Sequence, residues 1–196
     1  MRRLRKHHLG VFAALAFTLG FATTAMAQSP ATAQSVDREE RLDTLFEQLA
    51  EPDREDWRRI EGEITRLWSQ SGSETMDLLF QRGHGAIGRK DYAAAVDHFS
   101  SLTDLAPDFA EGWNARATTF FLMDEYALSI SDIERTLALN PRHFGALSGL
   151  RRILEEMGEI DLALKAAQAA HDLTPNRPEL SAAVSRLERL TGAADL

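Results

Sequence analysis

Trp113 to Pro141 reads WNARATTFFLMDEYALSISDIERTLALNP. An aromatic residue opens the stretch, small residues and aromatics follow at helical spacing, two acids interrupt it at Asp124-Glu125, and an apolar run closes on Asn140-Pro141. Proline cannot extend a helix and disfavours α geometry in the residue before it. The stretch therefore reads as two helices, from about 109 to 123 and from about 127 to 139, joined by a tight turn. Asp108 and Glu111 have the spacing of a capping box at the first of them.

The same rhythm lies 34 residues to either side. Trp113 falls in step with Leu79 and Leu147, Ala117 with Gly83 and Arg151, and Phe120 with Ala86 and Leu154. Tyr126 matches Tyr92 and Ile160, Ser129 matches Ala95 and Ala163, and Ile133 matches Phe99 and Ala167. Pro107, Pro141 and Pro175 close the three units. Small residues in two of these columns let paired helices approach closely, and large ones in the others fill the space between. One such pair cannot bury its apolar face alone, so the units must stack.

Period and content resemble the tetratricopeptide repeat, with its W-x2-L-G-x2-Y…A-x3-F…P spacing. The resemblance covers about residues 74–176. It implies an all-α, right-handed α-solenoid of three helix pairs at 74–108, 109–142 and 143–176. It also implies a concave groove, lined by the first helix of each unit, that holds a segment of a partner protein. Carried over position by position, the groove takes Phe80, His84 and Ile87 from the first unit and Asn114, Thr118 and Phe121 from the second. Ser148, Arg152 and Glu155 come from the third. Each triplet is spaced i, i+4, i+7 and so shares one helix face. A column that usually holds leucine has Arg82, Arg116 and Leu150. Bacterial members of the family with this arginine carry an aspartate in the second helix, so the resemblance pairs Arg116 with Asp132 as a structural contact. Arg151 occupies a column that wants a small residue and is expected to snorkel outwards. Members that grip a terminal carboxylate place several Lys, Arg and Asn residues in the groove columns. Phe80, His84, Thr118 and Ser148 replace most of that set, so no such clamp is expected.

Beyond the repeats, Leu180, Val184, Leu187 and Leu190 form one stripe of a capping helix over 177–191, with a polar outer face. Upstream, Leu42, Leu45, Phe46 and Leu49 make one amphipathic stripe, and Trp57, Ile60, Ile64, Leu67 and Trp68 make another. Residues 37–70 thus read as a divergent helical hairpin expected to cover the first open end of the stack, with a dimerisation hairpin as the alternative. Residues 28–36, small and polar, read as a flexible tail.

Residues 1–27 have the three-part layout of a secretory signal peptide. Arg2, Arg3, Arg5 and Lys6 form a basic start, Leu9–Ala22 is almost wholly apolar, and Ala25-Met26-Ala27 supplies the small residues of a cleavage site. A spanning helix needs about 20 apolar residues, which this run does not reach. The expected destination is the periplasm, with no membrane attachment after cleavage. The leader holds four of the 22 bases and no acid, which leaves 18 bases against 30 acids and a net charge of −12. Such a surface repels nucleic acid. There is no cysteine, hence no disulfide and no thiolate metal site.

Catalytic signals are absent. His84, His98, His143 and His171 occupy different repeat positions without metal-ligand spacing. No Gly-x-Ser-x-Gly, phosphate-cradling glycine loop or zinc-protease motif occurs. No cofactor, metal or enzymatic activity is expected. The reading is an exported adaptor that binds an envelope or periplasmic protein. The alternatives are a homo-oligomeric structural subunit joined through the hairpin and a small-molecule or glycan binder.

Overall fold

The computed structural model describes residues 30–194, and the leader expected over 1–27 lies outside the described residues. Those residues form helices and turns, without a strand among them. In order they are α1 (Pro30–Ala50), α2 (Trp57–Trp68), α3 (Glu74–Gly88), α4 (Tyr92–Leu105), α5 (Ala110–Leu122), α6 (Tyr126–Leu139), α7 (Phe144–Glu156), α8 (Ile160–Leu173) and α9 (Pro178–Ala194). No helix among the described residues is long and apolar enough to cross a membrane.

The repeat is visible in the backbone. Lys90, Asp124 and Gly158, 34 residues apart, all adopt left-handed φ values of 61°, 60° and 77°. Each reverses the chain between the two helices of its unit. The next residue donates back five positions, as Asp91 N does to Ala86 O (2.9 Å), Glu125 N to Phe120 O (2.9 Å) and Glu159 N to Leu154 O (2.8 Å). This Schellman geometry satisfies carbonyls that a helix end leaves without partners.

Within each pair the small residues permit close approach. Ser129 Oγ donates to Ala117 O across the second unit at 2.8 Å, and both residues are buried. In the first unit Gly83 lies directly over the fully buried Phe99 ring. A Cβ added at Gly83 would stand 2.4 Å from that ring, closer than side chains approach without a shift. Gly83→Ala is therefore expected to destabilise the chain by about 1–3 kcal/mol through overpacking. Urea unfolding measures the loss, and a midpoint equal to that of the unsubstituted chain would show that the contact is not tight.

Arg116 and Asp132 meet as the resemblance implies. Nε donates to Oδ2 at 2.7 Å and Nη2 to Oδ1 at 2.8 Å, and the side chains are only 17% and 6% exposed. Nη1 donates to Ser100 Oγ and Thr103 Oγ1 of α4, so the guanidinium also ties unit two to unit one. Trp113 Nε1 donates to Pro107 O at 3.0 Å, and Arg135 Nη2 reaches the same carbonyl. Arg151 does not snorkel. It lies along α7, half-buried, and pairs with Glu155 one turn on.

Several expectations need correction. Helix α1 begins at Pro30, inside the stretch read as a flexible tail. Residues 31–36 contain no glycine or proline, so the helix nucleated by the apolar stripe propagates back until proline occupies its first position. In α9, Leu180, Ala183 and Leu187 are buried whereas Leu190 is 47% exposed, because the helix has by then run past α8. Asp108 and Glu111 do not form a capping box. Phe109 holds the N-cap position of α5 without a side-chain cap, and Glu111 turns inward.

The largest correction concerns the hairpin. It does not cover the first end of the stack, where Leu78 on α3 remains 46% exposed. It folds instead onto the loop edge of units two and three. Leu42, Leu45, Phe46, Leu49, Ile60 and Ile64 form one core with Phe144, the first residue of α7, and Leu173 packs against it. Asn176, between α8 and α9, locks the hairpin turn: Nδ2 donates to Leu49 O and Glu51 O, and Oδ1 accepts from Arg54 N. Arg142 pairs with Asp43 at 2.7 Å. Two exposed apolar stripes need one apolar partner, and Phe144 with Leu173 supplies it where α3 offers only Leu78.

Candidate functional site

A cleft of about 290 Å³ opens between α5 and α7. Asn114, Thr118 and Phe121 line it from α5, and Ser148 and Arg152 from α7. The structure thus brings together five of the residues that the repeat positions suggested. Ala117, Ile133 and Ile153 form an apolar, buried floor. Gly145 and Gly149 keep the facing wall of α7 low.

The first-unit triplet does not join this cleft. Phe80 is 9% exposed and packs against His84, Phe99 and Phe109, with ring centroids 4.5, 6.1 and 5.8 Å away. Ile87 lies half-buried against the same cluster. His84, edge-on to Phe80 and Phe99, is exposed on its outer side, but desolvation by these rings holds it below the usual histidine range, which the Glu111 charge only partly offsets. The reason is the residue type. Phe80 falls in the same column as Asn114, and Phe109, one unit before His143, closes over it. A bulky side chain in that column fills the space that a short one leaves open.

Polar groups in the cleft are held in place. Thr118 Oγ1 donates to Asn114 O at 2.9 Å and Ser148 Oγ to Phe144 O at 2.8 Å. Asn114 Nδ2 donates to Glu111 Oε2 at 3.1 Å. The Arg152 guanidinium carbon lies 4.8 Å from the centre of the Phe121 ring, which itself stacks on Tyr126 at 5.9 Å. Among the described residues no carboxylate comes within ion-pairing distance of Arg152. Glu155, one turn from Arg151, is taken by Arg151 and by Arg186 of α9. Burial pushes the Glu155 carboxyl up, but the hydrogen bonds from Arg186 and Arg151 together hold it below its usual range.

Two features escaped the sequence. His143 is a buried N-cap of α7: Nδ1 accepts from Ala146 N at 3.0 Å, and the ring is 3% exposed. That bond leaves the proton on Nε2, which donates to Glu111 Oε2 at 2.8 Å. Trp68 of the hairpin stacks on the same ring at 4.6 Å. Arg177, just before α9, also lines the cleft while its guanidinium forks onto Glu61 of α2. Arg177 lies one period after His143, beyond the third unit and in a column not assigned to the groove, so the sequence reading did not point to it.

No protein-family model matches the chain. A TPR repeat-containing protein of Rhizobium etli is 44% identical over 155 residues, which cover 78% of this chain and 76% of that protein. Other relatives, 24–29% identical, are matched over only 12–34% of their own length. Among solved structures, the first TPR domain of Spaghetti (RPAP3), bound to an HSP90 peptide, superposes with a TM-score of 0.58 at 21% identity. It covers 61% of this chain and 95% of that one. The Yersinia enterocolitica type III secretion chaperone SycD, in complex with a peptide of the translocator YopD, superposes with a TM-score of 0.57 at 17% identity, covering 61% and 96%.

Proposed function

Since this chain belongs to the tetratricopeptide-repeat family, we propose that it is a non-catalytic adaptor that holds a segment of another protein in the cleft between α5 and α7. The observation that carries this reading is the cleft's construction. A half-buried Phe121 ring stands over a floor of buried apolar side chains, beside fixed, short polar side chains that can meet a peptide backbone. A concave, mostly apolar cleft with a few placed polar groups is a common mark of a binding site. SycD and Spaghetti, solved with peptides, have the same fold. The basic, apolar and small-residue layout of residues 1–27 supports export, with the partner an envelope or periplasmic protein.

Phe121→Asp tests the reading. A charge placed on the cleft wall beside the apolar floor opposes an apolar anchor from the partner, and anchors of that kind carry most of the binding energy at an interface. Capture of a partner from periplasmic extract is expected to disappear while far-ultraviolet circular dichroism stays unchanged. Undiminished capture by a folded variant defeats the proposal.

A further inference from the structure

The first face of the stack is left open. Each later unit turns three columns of its first helix towards the unit before it. In unit two, a Cβ at Gly112 would lie 3.3 Å from Leu102 of α4, and Arg116 donates to Ser100 and Thr103 of the same helix. Thr119, about one turn further on, is fully buried. In unit three, Ala146 and Ile153 share a core with Ile133 of α6, and Leu150 packs against it. Unit one carries Leu78, Arg82 and Gly85 in these columns. All three are exposed, because no unit precedes α3 and the hairpin docks on another edge. Arg82 also lacks the partner that Arg116 has. His98 stands in the column of Asp132, and among the described residues no acid comes within ion-pairing distance of Arg82. Glu74, the first residue of α3, is likewise exposed, with no base beside it among the described residues.

We propose that this face docks a second copy of the same chain, with α3 lying antiparallel on its counterpart. The surface is complementary to itself. Glu74, Leu78 and Arg82 are spaced i, i+4, i+8 and share one face of α3, with Gly85 on the same stripe. A two-fold axis at Leu78 sets that leucine against its own copy. It also brings Glu74 of each chain to Arg82 of the other. A symmetric dimer requires such a patch, in which residue i meets j and j meets i. Leu78 supplies the apolar contact, and the two charge pairs set register and direction. A parallel arrangement would oppose Glu74 to Glu74 and Arg82 to Arg82. A Cβ at Gly85 would meet only the Arg89 side chain, at 3.4 Å, so packing within the unit does not demand a glycine. Its bare backbone lets a second helix come close. The far end of the stack is a poorer partner: Arg186 of α9 is already held by Glu155, and a head-to-tail contact does not close. One helix face is a small interface, so the dimer is reversible, with a dissociation constant of about 10–100 μM. The pair carries two α5–α7 clefts, which gives avidity towards a partner that presents two segments.

Sedimentation and light scattering on the purified chain, from about 1 μM to about 1 mM, test the pairing. The mass is expected to rise from one chain to two and no further. Leu78→Asp should stay monomeric across that range with unchanged far-ultraviolet circular dichroism, since the side chain it replaces is already half in water. Glu74→Arg and Arg82→Glu each turn two attractions into two repulsions, and each should weaken the dimer by about tenfold. Mixed in equal amounts, these two variants should form a mixed dimer at least as tight as the parent's. The two bases of one chain then face the two acids of the other, and native mass spectrometry identifies the species. Leu190→Asp, on the exposed end of α9, is the control and should leave association unchanged. Any of four results overturns the proposal: a monomer at every concentration, mass growing past two chains, a dimer that survives Leu78→Asp, or a mixture no tighter than either variant alone. Loss of association in Leu190→Asp would do the same by pointing to head-to-tail contact. The cleft lies on other helices, so the adaptor reading is judged separately by Phe121→Asp.

Discussion

Asp132→Ala is expected to cost about 3–5 kcal/mol of unfolding free energy, because it leaves the Arg116 guanidinium largely buried without its carboxylate. The pair is a two-bond fork between side chains 17% and 6% exposed. For a domain of this size each kcal/mol shifts the melting temperature by roughly 2–4 °C, so the loss is visible in a simple thermal scan. The partner substitution separates a lost contact from a stranded charge. Arg116→Leu in the Asp132→Ala background removes both charges and restores the residue that the repeat usually carries at this column. Replacing a buried ion pair by apolar groups is often close to neutral, so the double variant should recover most of the lost stability. Thr103 Oγ1 keeps its bond to Ser100 O when Arg116 is gone, and the half-buried Ser100 hydroxyl loses its contact with Nη1. A double variant no more stable than Asp132→Ala alone would show that Arg116 acts chiefly by tying unit two to Ser100 and Thr103 of unit one.

The sequence made the repeated part legible because each unit repeats the same local problem. A 34-residue period, a proline at each close and small residues facing large ones are all set by neighbours within one or two helices. The Arg116–Asp132 pair joins the two helices of one unit, and the resemblance to the family placed it there. The site was only partly legible. Asn114, Thr118, Phe121, Ser148 and Arg152 share a cleft because their columns face the same way. Phe80, in the column of Asn114, falls into the core, because Phe109 from the next unit packs on it. Periodicity gives the face a residue occupies but not whether a neighbour fills the space in front of it. The hairpin was least legible. Its two stripes show that it must bury one side, but its partner, Phe144, lies about 80 residues away from it along the chain in a repeat column that marks nothing unusual. Non-periodic contacts such as Asn176 to Leu49 and Arg177 to Glu61 leave no spacing to read.

Phe144→Ala is expected to release the hairpin and leave the solenoid standing. The Phe144 ring is 5% exposed, lies 5.0 Å from Trp68 and meets Phe46 edge-on at 6.4 Å. Truncating a buried phenylalanine typically costs about 3–5 kcal/mol, the lost burial plus the cavity it leaves. Here the loss falls on one interface. Alanine suits the first turn of α7 at least as well as phenylalanine does, and the His143 cap on Ala146 N does not involve the ring. Amide exchange in α2 and the second half of α1 should therefore accelerate by at least about a hundredfold, at 1.4 kcal/mol per factor of ten. Protection around Phe99 and Ile133, in cores that contain no hairpin residue, should stay as it was. A chain in which all helices lose protection together would mean that hairpin and repeats unfold as one unit. Phe144→Leu, which keeps most of the volume, should give a much smaller effect.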